Sequence, residues 1–204
     1  MKNQSYALVI ILLFLLVSCG SFTAHQKQLI TSATANTPMR VFLINSKQDS
    51  ILLRQKSTHI KRNSKMAKLL AKRLFATVRD SLSMGVGIAA PQVGILKNMI
   101  CVQRFDKENF PFEFYLNPII TKYSIKKRPC PEGCLSIPNT NGTTQNRAFT
   151  ITIEYNTLKG EHKKEFVSDF TSVIFQHEID HLNGILFIDH LEKDIIDDNN
   201  KKAK

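Results

Sequence analysis

Two histidines four residues apart, His177 and His181, are the residues whose types and spacing point most directly to chemistry. On a helix they project from one face about 6 Å apart, so both imidazoles can reach one metal ion. Glu178 follows the first histidine, where it can act on water at the metal without being a ligand. This His-Glu-x-x-His pattern predicts a catalytic metal site, although the same pattern also occurs on helices that bind no metal.

A catalytic metal needs a third protein ligand, and zinc peptidases with this motif take theirs from further along the chain. The downstream candidates Asp189, His190 and Glu192 lack the spacing of a metzincin. Upstream, Cys134 offers a thiolate in a tight glycine-containing turn, and a Cys, His, His set leaves one coordination position open for catalysis. Two other interpretations of this cysteine are a buried free thiol and a disulfide to Cys130.

The segment Gly85–Gln92 combines glycines with a terminal amide side chain. Its Gly-x-Gly-x-x-Ala pattern is that of a dinucleotide-binding turn, which requires a strand before it and a helix after it. A helix is predicted before the segment, and Pro91 stands where the second helix should be established, so this context does not fit. We interpret the segment as backbone that approaches a ligand closely.

Together the three segments resemble the three motifs of bacterial peptide deformylases in their order and approximate separation. The matching segments are Gly85–Gln92, Glu132–Ser136 and Gln176–His181, within a resemblance that covers about residues 39–191. The resemblance implies an α+β fold in which antiparallel β-sheets surround a central helix carrying the histidines. It also implies an enzyme that removes the formyl group from the N-terminal N-formylmethionine of polypeptides or peptides.

The same resemblance assigns roles around the metal. Cys134, His177 and His181 would hold the ion, and Glu178 would be general base and acid while a metal hydroxide attacks the formyl carbon. One ion per chain is expected, Fe²⁺ first, with Zn²⁺, Ni²⁺ or Co²⁺ as alternatives.

The resemblance also assigns residues that would contact the substrate. The side-chain amide of Gln92 and the backbone N–H of Leu135 would meet the oxyanion of the transition state. Backbone around Val86 and Gly87 would align the substrate main chain in an extended pose. Arg147 is carried over as a substrate-binding residue.

Three positions depart from the family pattern. Asp169 and Ser172 stand where most members have a glycine and an alanine before the metal helix, and Ile88 replaces a leucine. The first two changes bear on the packing of that helix, although both residues favour helix starts.

The elements that must position these residues are predicted from periodicity. Apolar residues spaced near four indicate an amphipathic helix from Ser64 to Leu82, and a second helix begins at Ser168 or Asp169 and ends near Asn183. Strands are predicted at Asn98–Phe105, Glu113–Leu116 and Phe149–Tyr155, and a turn at Leu158–Glu161. This mixture indicates an α+β domain.

Composition bounds the remaining choices. The chain has 204 residues, 43% of them hydrophobic, which suits one globular domain and excludes collagen-like, low-complexity and wholly disordered classes. Its net charge of +11 suits nucleic acid, anionic lipid or merely solubility, and we expect no nucleic-acid partner.

The N-terminus has the layout of a secretory signal. The apolar run from Tyr6 to Val17 is shorter than the roughly 20 residues that cross a membrane as a helix. Leu16–Cys19 resembles the lipobox of bacterial lipoproteins, which predicts lipidation of Cys19 and attachment to a membrane outside the cytoplasm. A translation start at Met39 would instead give a cytoplasmic protein.

The predicted organisation is therefore a lipoprotein-type signal peptide over residues 1–18, a flexible tether over 19–38, a deformylase domain over 39–192 and a disordered tail over 193–204. Two alternative functions remain open. One is a catalytically inactive metal-binding envelope lipoprotein, its site lost through a disulfide between Cys130 and Cys134. The other is a membrane-tethered zinc endopeptidase, which leaves Cys134 and Gln92 unexplained.

Overall fold

The computed structural model describes residues 20–80 and 84–202, and from residue 195 onward the backbone alone. In this part of the chain the helices are α1 (Ala24–Thr31), α2 (Lys47–Leu53), α3 (Lys65–Val78), α4 (Asp169–Leu182) and α5 (Phe187–Lys202). The strands are β1 (Gly87–Ala89), β2 (Met99–Gln103), β3 (Phe112–Tyr123), β4 (Lys127–Cys134), β5 (Ile137–Ala148), β6 (Thr150–Asn156) and β7 (His162–Ser168). The predicted signal peptide and Cys19 lie outside the described residues.

The strands form two antiparallel sheets, which confirms the α+β prediction. One is five-stranded in the order β1-β2-β3-β6-β7, and the other is the hairpin β4-β5. Helix α4 packs against the five-stranded sheet, where Phe175 and Ile179 join Tyr115 and Ile153 in one buried cluster. The helix that carries the histidines is therefore held in the core.

Helix α4 has the bounds that the sequence predicted, although the side chain of Ser168 makes no capping hydrogen bond. Ser168 precedes the helix in an extended conformation. At the other end Gly184 adopts a left-handed conformation with φ of 74°, and the amide of Ile185 donates to the carbonyl of Asp180 at 3.0 Å. A glycine fits this position because other residues rarely adopt such a φ.

Helix α3 confirms the predicted amphipathic helix, although it ends at Val78 rather than Leu82. The Ser64 hydroxyl caps it by accepting from the amide of Ala67 at 3.2 Å. Leu70 and Leu74 of its apolar stripe are fully buried. After the helix the amide of Gly85 donates to the carbonyl of Val78 at 2.9 Å, which leads the chain into the glycine-rich segment.

The prediction of a flexible tether over residues 19–38 is wrong for α1 and its flanks. Thr23 and Gln26 form a reciprocal capping box at the start of α1. Phe22 and Ile30 are buried in the same cluster as the apolar stripe of α3. The guanidinium of Arg73 donates to the carbonyl of Leu29 at 2.8 Å. Two buried apolar side chains and the hydrogen bonds of Arg73 hold this segment on the domain, and periodicity alone did not reveal them.

The prediction of a disordered tail over residues 193–204 is likewise wrong up to Lys202, because α5 continues to that residue. Asp194 is buried, and its carboxylate accepts from the backbone amide of Gln145 at 2.8 Å and from the side chain of Asn146. These hydrogen bonds fix α5 against β5. They could not be predicted from the polar composition of the segment.

The hairpin β4-β5 was missed because its residues are largely polar and include prolines. Cys134 was expected in a tight turn, but it ends β4 and pairs with Ile137 across a two-residue turn.

The strands predicted around residues 98–105, 113–116 and 149–155 are present as β2, β3 and β6. The predicted turn is closed by the amide of Gly160, which donates to the carbonyl of Thr157 at 2.9 Å. Among the described residues, no helix has the length and apolarity needed to cross a membrane.

Candidate metal centre

Cys134, His177 and His181 come together although β4 and α4 are distant in sequence. One ligand atom from each lies within 4.8 Å of the others. The Sγ of Cys134 is 3.2 Å from the Nε2 of His181. The structure thus brings together the three ligands that the sequence predicted.

These three donors fit a single divalent ion. Metal bonds of about 2.0 Å to imidazole and 2.3 Å to thiolate around one ion require donor atoms that lie within a few ångströms of each other, as they do here. Burial lowers the pKa of His181, which keeps its imidazole neutral as a metal ligand must be. Three protein ligands leave a position open for water or substrate.

Glu132 and Arg147 orient the first histidine. The Nδ1 of His177 lies 2.8 Å from a carboxylate oxygen of Glu132, which leaves Nε2 for the metal. Arg147 grips the same carboxylate with two hydrogen bonds of 2.8 and 2.9 Å. Burial alone would raise the pKa of Glu132, but hydrogen bonds from His177 and Arg147 bring it well below its usual range. The carboxylate therefore stays charged.

The role carried over for Arg147 needs correction. Its side chain is only 4% exposed and does not line the cleft. Besides Glu132, its guanidinium contacts Asp180 at 2.6 Å, and the same Asp180 oxygen lies 2.8 Å from His190. Arg147 thus supports the metal ligands instead of touching substrate. Glu132 stands within a sequence motif, but its role becomes visible only through these contacts.

Glu178 occupies a confined position beside the ligands. It is 4% exposed, and its Oε2 has no hydrogen-bond partner among the described residues. Burial raises the pKa of its carboxyl to about 7. Such a group can exchange protons near neutral pH.

Gly87 makes room for that carboxylate. A Cβ at this residue would collide with Oε1 of Glu178 and lie 2.9 Å from the Ile174 side chain. The glycine is therefore required by the close approach of β1 to α4, in addition to the predicted substrate contact.

Gln92 is oriented by the short 3₁₀ turn Ala90–Val93. Its Oε1 accepts from the backbone amide of Ala89 at 2.8 Å. This fixes the amide so that Nε2 points to the Sγ of Cys134 at 3.5 Å and the Oγ of Ser136 at 3.4 Å. A donor is thus aimed at the metal centre, as predicted.

The centre opens into a cleft of about 360 Å³. Besides the site residues Gln92, Cys134, His177 and Glu178, its lining includes the apolar side chains Met84, Val86, Leu135, Phe170, Val173 and Ile174. Strand β1 is at the edge of its sheet. The amide of Gln103 donates to the carbonyl of Val86, so the backbone groups of the next residue, Gly87, point away from β2 toward the free edge.

The departures at residues 169 and 172 have local explanations. Asp169 has φ of 58°, a left-handed conformation in which glycine is easiest, and its carboxylate pairs with Arg128. The Ser172 hydroxyl donates to the carbonyl of Ala148 at 2.6 Å. A hydroxyl therefore adds a buried link between α4 and the end of β5.

A disulfide between Cys130 and Cys134 is incompatible with this arrangement. Both residues lie on β4, where a separation of four residues spans about 13 Å. Bridged cysteines have Cα atoms at most about 7 Å apart. Both thiols are free.

Comparisons with known proteins agree with the geometry. A profile of the polypeptide deformylase family matches residues 41–195. The peptide deformylase of Desulforudis audaxviator is 40% identical over 151 residues, covering 74% of this chain and 94% of that protein. The peptide deformylase of Synechocystis is 36% identical over 143 residues, covering 69% of this chain and 74% of that protein. A class I type b peptide deformylase from Acinetobacter baumannii, crystallised with bound Met-Ala-Ser, superposes with a TM-score of 0.67 at 32% identity, covering 76% of this chain and 99% of the other.

Proposed function

The chain belongs to the polypeptide deformylase family, and we propose that Cys134, His177 and His181 hold its catalytic ion while Glu178 transfers the proton. The activity of the family is metal-dependent removal of the formyl group from N-terminal N-formylmethionine, and this is the function of the chain. The observation that carries the proposal is that a Cys, His, His donor set, through Cys134 and His177, shares its cleft with the buried carboxyl of Glu178, whose Oε2 has no hydrogen-bond partner among the described residues.

A divalent ion bound by these residues supplies a Lewis acid and lowers the pKa of water. Glu178 takes the proton of the attacking water and delivers it to the departing amine. Its raised pKa, about 7, suits both transfers because the charged and the protonated carboxyl are both populated near neutral pH.

Two hydrogen-bond donors stabilise the negative charge that develops on the formyl oxygen. Gln92 presents Nε2 toward the centre, and its orientation is fixed before substrate arrives. Leu135 lines the cleft directly after the ligand Cys134, and its backbone N–H is the second donor. Removing one such donor typically lowers kcat by about 10²-fold or more.

The cleft also accounts for the substrate. The free edge at Gly87 accepts an extended peptide backbone as an added strand. The apolar lining, which includes Leu135, Val173 and Ile174, suits an unbranched thioether side chain. The Met-Ala-Ser bound to the Acinetobacter protein is a peptide of this kind.

For the metal we propose Fe²⁺, with Zn²⁺, Ni²⁺ or Co²⁺ as substitutes, because a mixed thiolate and imidazole set accepts each of these ions. Metal analysis of protein purified without oxygen measures this directly.

The experiment that tests the function incubates the metal-loaded chain with N-formyl-Met-Ala-Ser and with a longer formylated peptide. Mass spectrometry of the products distinguishes two reactions. Loss of the formyl group alone is the expected result. Cleavage of an internal peptide bond would favour the endopeptidase alternative, which the comparisons do not support, and no reaction would favour the inactive metal-binding alternative.

For the location we propose that Cys19 is lipidated and anchors the enzyme to a membrane of the bacterial cell envelope, outside the cytoplasm. The support is the apolar run Tyr6–Val17, whose end overlaps the lipobox-like Leu16–Cys19. Metabolic labelling with a radioactive fatty acid should mark the protein, and Cys19→Ser should abolish the label. A soluble, unlabelled protein that begins at Met39 would contradict the proposal.

A further inference from the structure

A continuous basic surface begins in the loop before α3 and follows that helix. We call it the basic face and define it as Lys61, Arg62, Lys65, Lys68 and Lys72, all of which are exposed. The last three are spaced to share one stripe of the helix. No Asp or Glu occurs in the sequence between Asp49 and Asp80.

The charge of the basic face is not neutralised internally. Within the part of the chain that the structure describes, none of its five side chains forms an ion pair. The opposite face of α3 is the buried apolar stripe, so the lysines are presented outward. Many helices have a solvated basic face without a binding partner. This one differs because it lies beside the point where the N-terminal segment joins the domain.

The N-terminal segment enters the fold at the start of the basic face. The carbonyl of Gly20 accepts from the amide of Lys61 at 3.0 Å. Gly20 has φ of 97°, and a Cβ there would lie 3.0 Å from the Lys61 nitrogen, so the backbones touch. The next apolar residue, Phe22, is buried in the core. Cys19 is therefore adjacent in sequence to a point fixed to the domain.

We propose that the basic face of α3 docks on an anionic lipid surface, the membrane to which Cys19 attaches the chain. This inference rests on the anchoring proposed above. A flexible tether would let the domain stand away from the membrane, but the folded segment 20–38 removes that slack. An anionic surface then lies within reach of several lysines, each of which raises membrane affinity about fivefold.

Docking would set the position of the active site. Helix α3 has 14 residues and is therefore about 20 Å long. Its far end leads to Gly85, which lines the cleft. With the stripe of lysines on the lipid, the rim of the cleft lies about one helix length from the start of α3. Formylated peptides at the membrane surface are the substrates favoured by this arrangement.

The test uses the full chain mixed with vesicles of phosphatidylcholine, with or without phosphatidylglycerol. Flotation of the protein with vesicles measures anchoring. Separately, an amine-reactive reagent and mass spectrometry measure the reactivity of individual lysines. We expect Lys61, Lys65, Lys68 and Lys72 to be protected severalfold on the anionic vesicles alone. Salt at about 0.5 M should remove this protection, because it screens exposed charges.

A triple variant and a matched control separate the basic face from net charge. The variant K65E/K68E/K72E should lose the protection of Lys61, and its electrostatic affinity for anionic vesicles should fall at least about 100-fold. The control K122E/K127E/K159E makes the same charge change at exposed lysines elsewhere and should behave as the parent. Circular dichroism establishes that both variants fold.

The outcomes distinguish this inference from the anchor on which it rests. Flotation with both vesicles but equal lysine reactivity on each would overturn docking and leave anchoring intact. Flotation with anionic vesicles alone, lost in the triple variant, would support the basic face and contradict the anchor. Protection of the same lysines by added RNA but not by anionic vesicles would identify a nucleic-acid surface and overturn the proposal.

Discussion

At the scale of single residues, the metal centre depends on side chains that act on the ligands as well as on the ligands themselves. The Glu132 carboxylate contacts His177, and Arg147 donates a hydrogen bond to the same carboxylate. Such outer contacts fix the ring orientation of a metal-binding histidine and increase its basicity. The chain of contacts explains why two charged side chains are buried beside the cysteine and the histidines.

We predict that Glu132→Gln weakens metal binding by about 10-fold to 100-fold, because the histidine loses its charged partner. Competition with a chelator, followed by metal analysis of the folded protein, measures the change. Glu154→Gln is the control, since Glu154 pairs with Lys164 across β6 and β7 and neither residue lines the cleft. Equal affinity in the two variants would contradict the role given to Glu132.

A second prediction concerns the space beside Glu178. Gly87→Ala should lower kcat by about 10²-fold, because the new methyl group displaces the carboxylate. Metal content should stay unchanged, since the three atoms nearest to the added Cβ belong to Glu178 and Ile174 and not to a metal ligand. In the control Gly85→Ala, the added Cβ meets the Val78 and Leu135 side chains at 3.1 and 3.4 Å. Similar kinetics for the two variants would be evidence against the collision.

At the scale of elements, α1 acts as part of the domain. Ile30 is fully buried against the cluster that includes the α3 stripe. We predict that Ile30→Ala lowers the free energy of unfolding by about 2–4 kcal/mol through the lost apolar contact and the cavity. Urea denaturation measures it, with the exposed Gln28→Ala as control. An unchanged midpoint for Ile30→Ala would mean that α1 is dispensable.

The start of α4 offers another test at this scale. Asp169→Ala and Asp169→Gly both remove the pairing with Arg128, but only alanine is strained at φ of 58°. We therefore expect the glycine variant to be more stable by about 1 kcal/mol in thermal unfolding. Greater stability of the alanine variant would show that the left-handed conformation is not maintained.

The elements also show how far sequence reasoning reaches. Helices α3 and α4 and the alternating strand β6 were predictable because periodicity, the cap at Ser64 and the glycine after α4 are local signals. The β4-β5 hairpin was missed because its strands lack an apolar stripe. Segment α1 and the tail of α5 were missed because isolated anchors such as Ile30 and Asp194 act through distant partners. The ligand set was predictable because each ligand lies in a motif, whereas the inward orientation of Arg147 depends on three-dimensional packing.

At the scale of the whole molecule, one domain joins a metal hydrolase site to a folded N-terminal segment and a basic surface. The site accounts for the motifs that the sequence carries. The folded segment places Gly20 against the domain, where its carbonyl accepts from the amide of Lys61. The reaction at the metal site can be tested without knowing where the protein is located.

The central claim is that Glu178 transfers protons at a metal held by Cys134, His177 and His181. The most direct measurement is formate release from N-formyl-Met-Ala-Ser by the chain loaded with Fe²⁺ without oxygen, compared with Glu178→Gln at equal metal content. We predict rapid release by the parent and a loss of about 10²-fold to 10⁴-fold in the variant. Release that persists at the parental rate in the variant, or no release from the folded and metal-loaded parent, would contradict the claim.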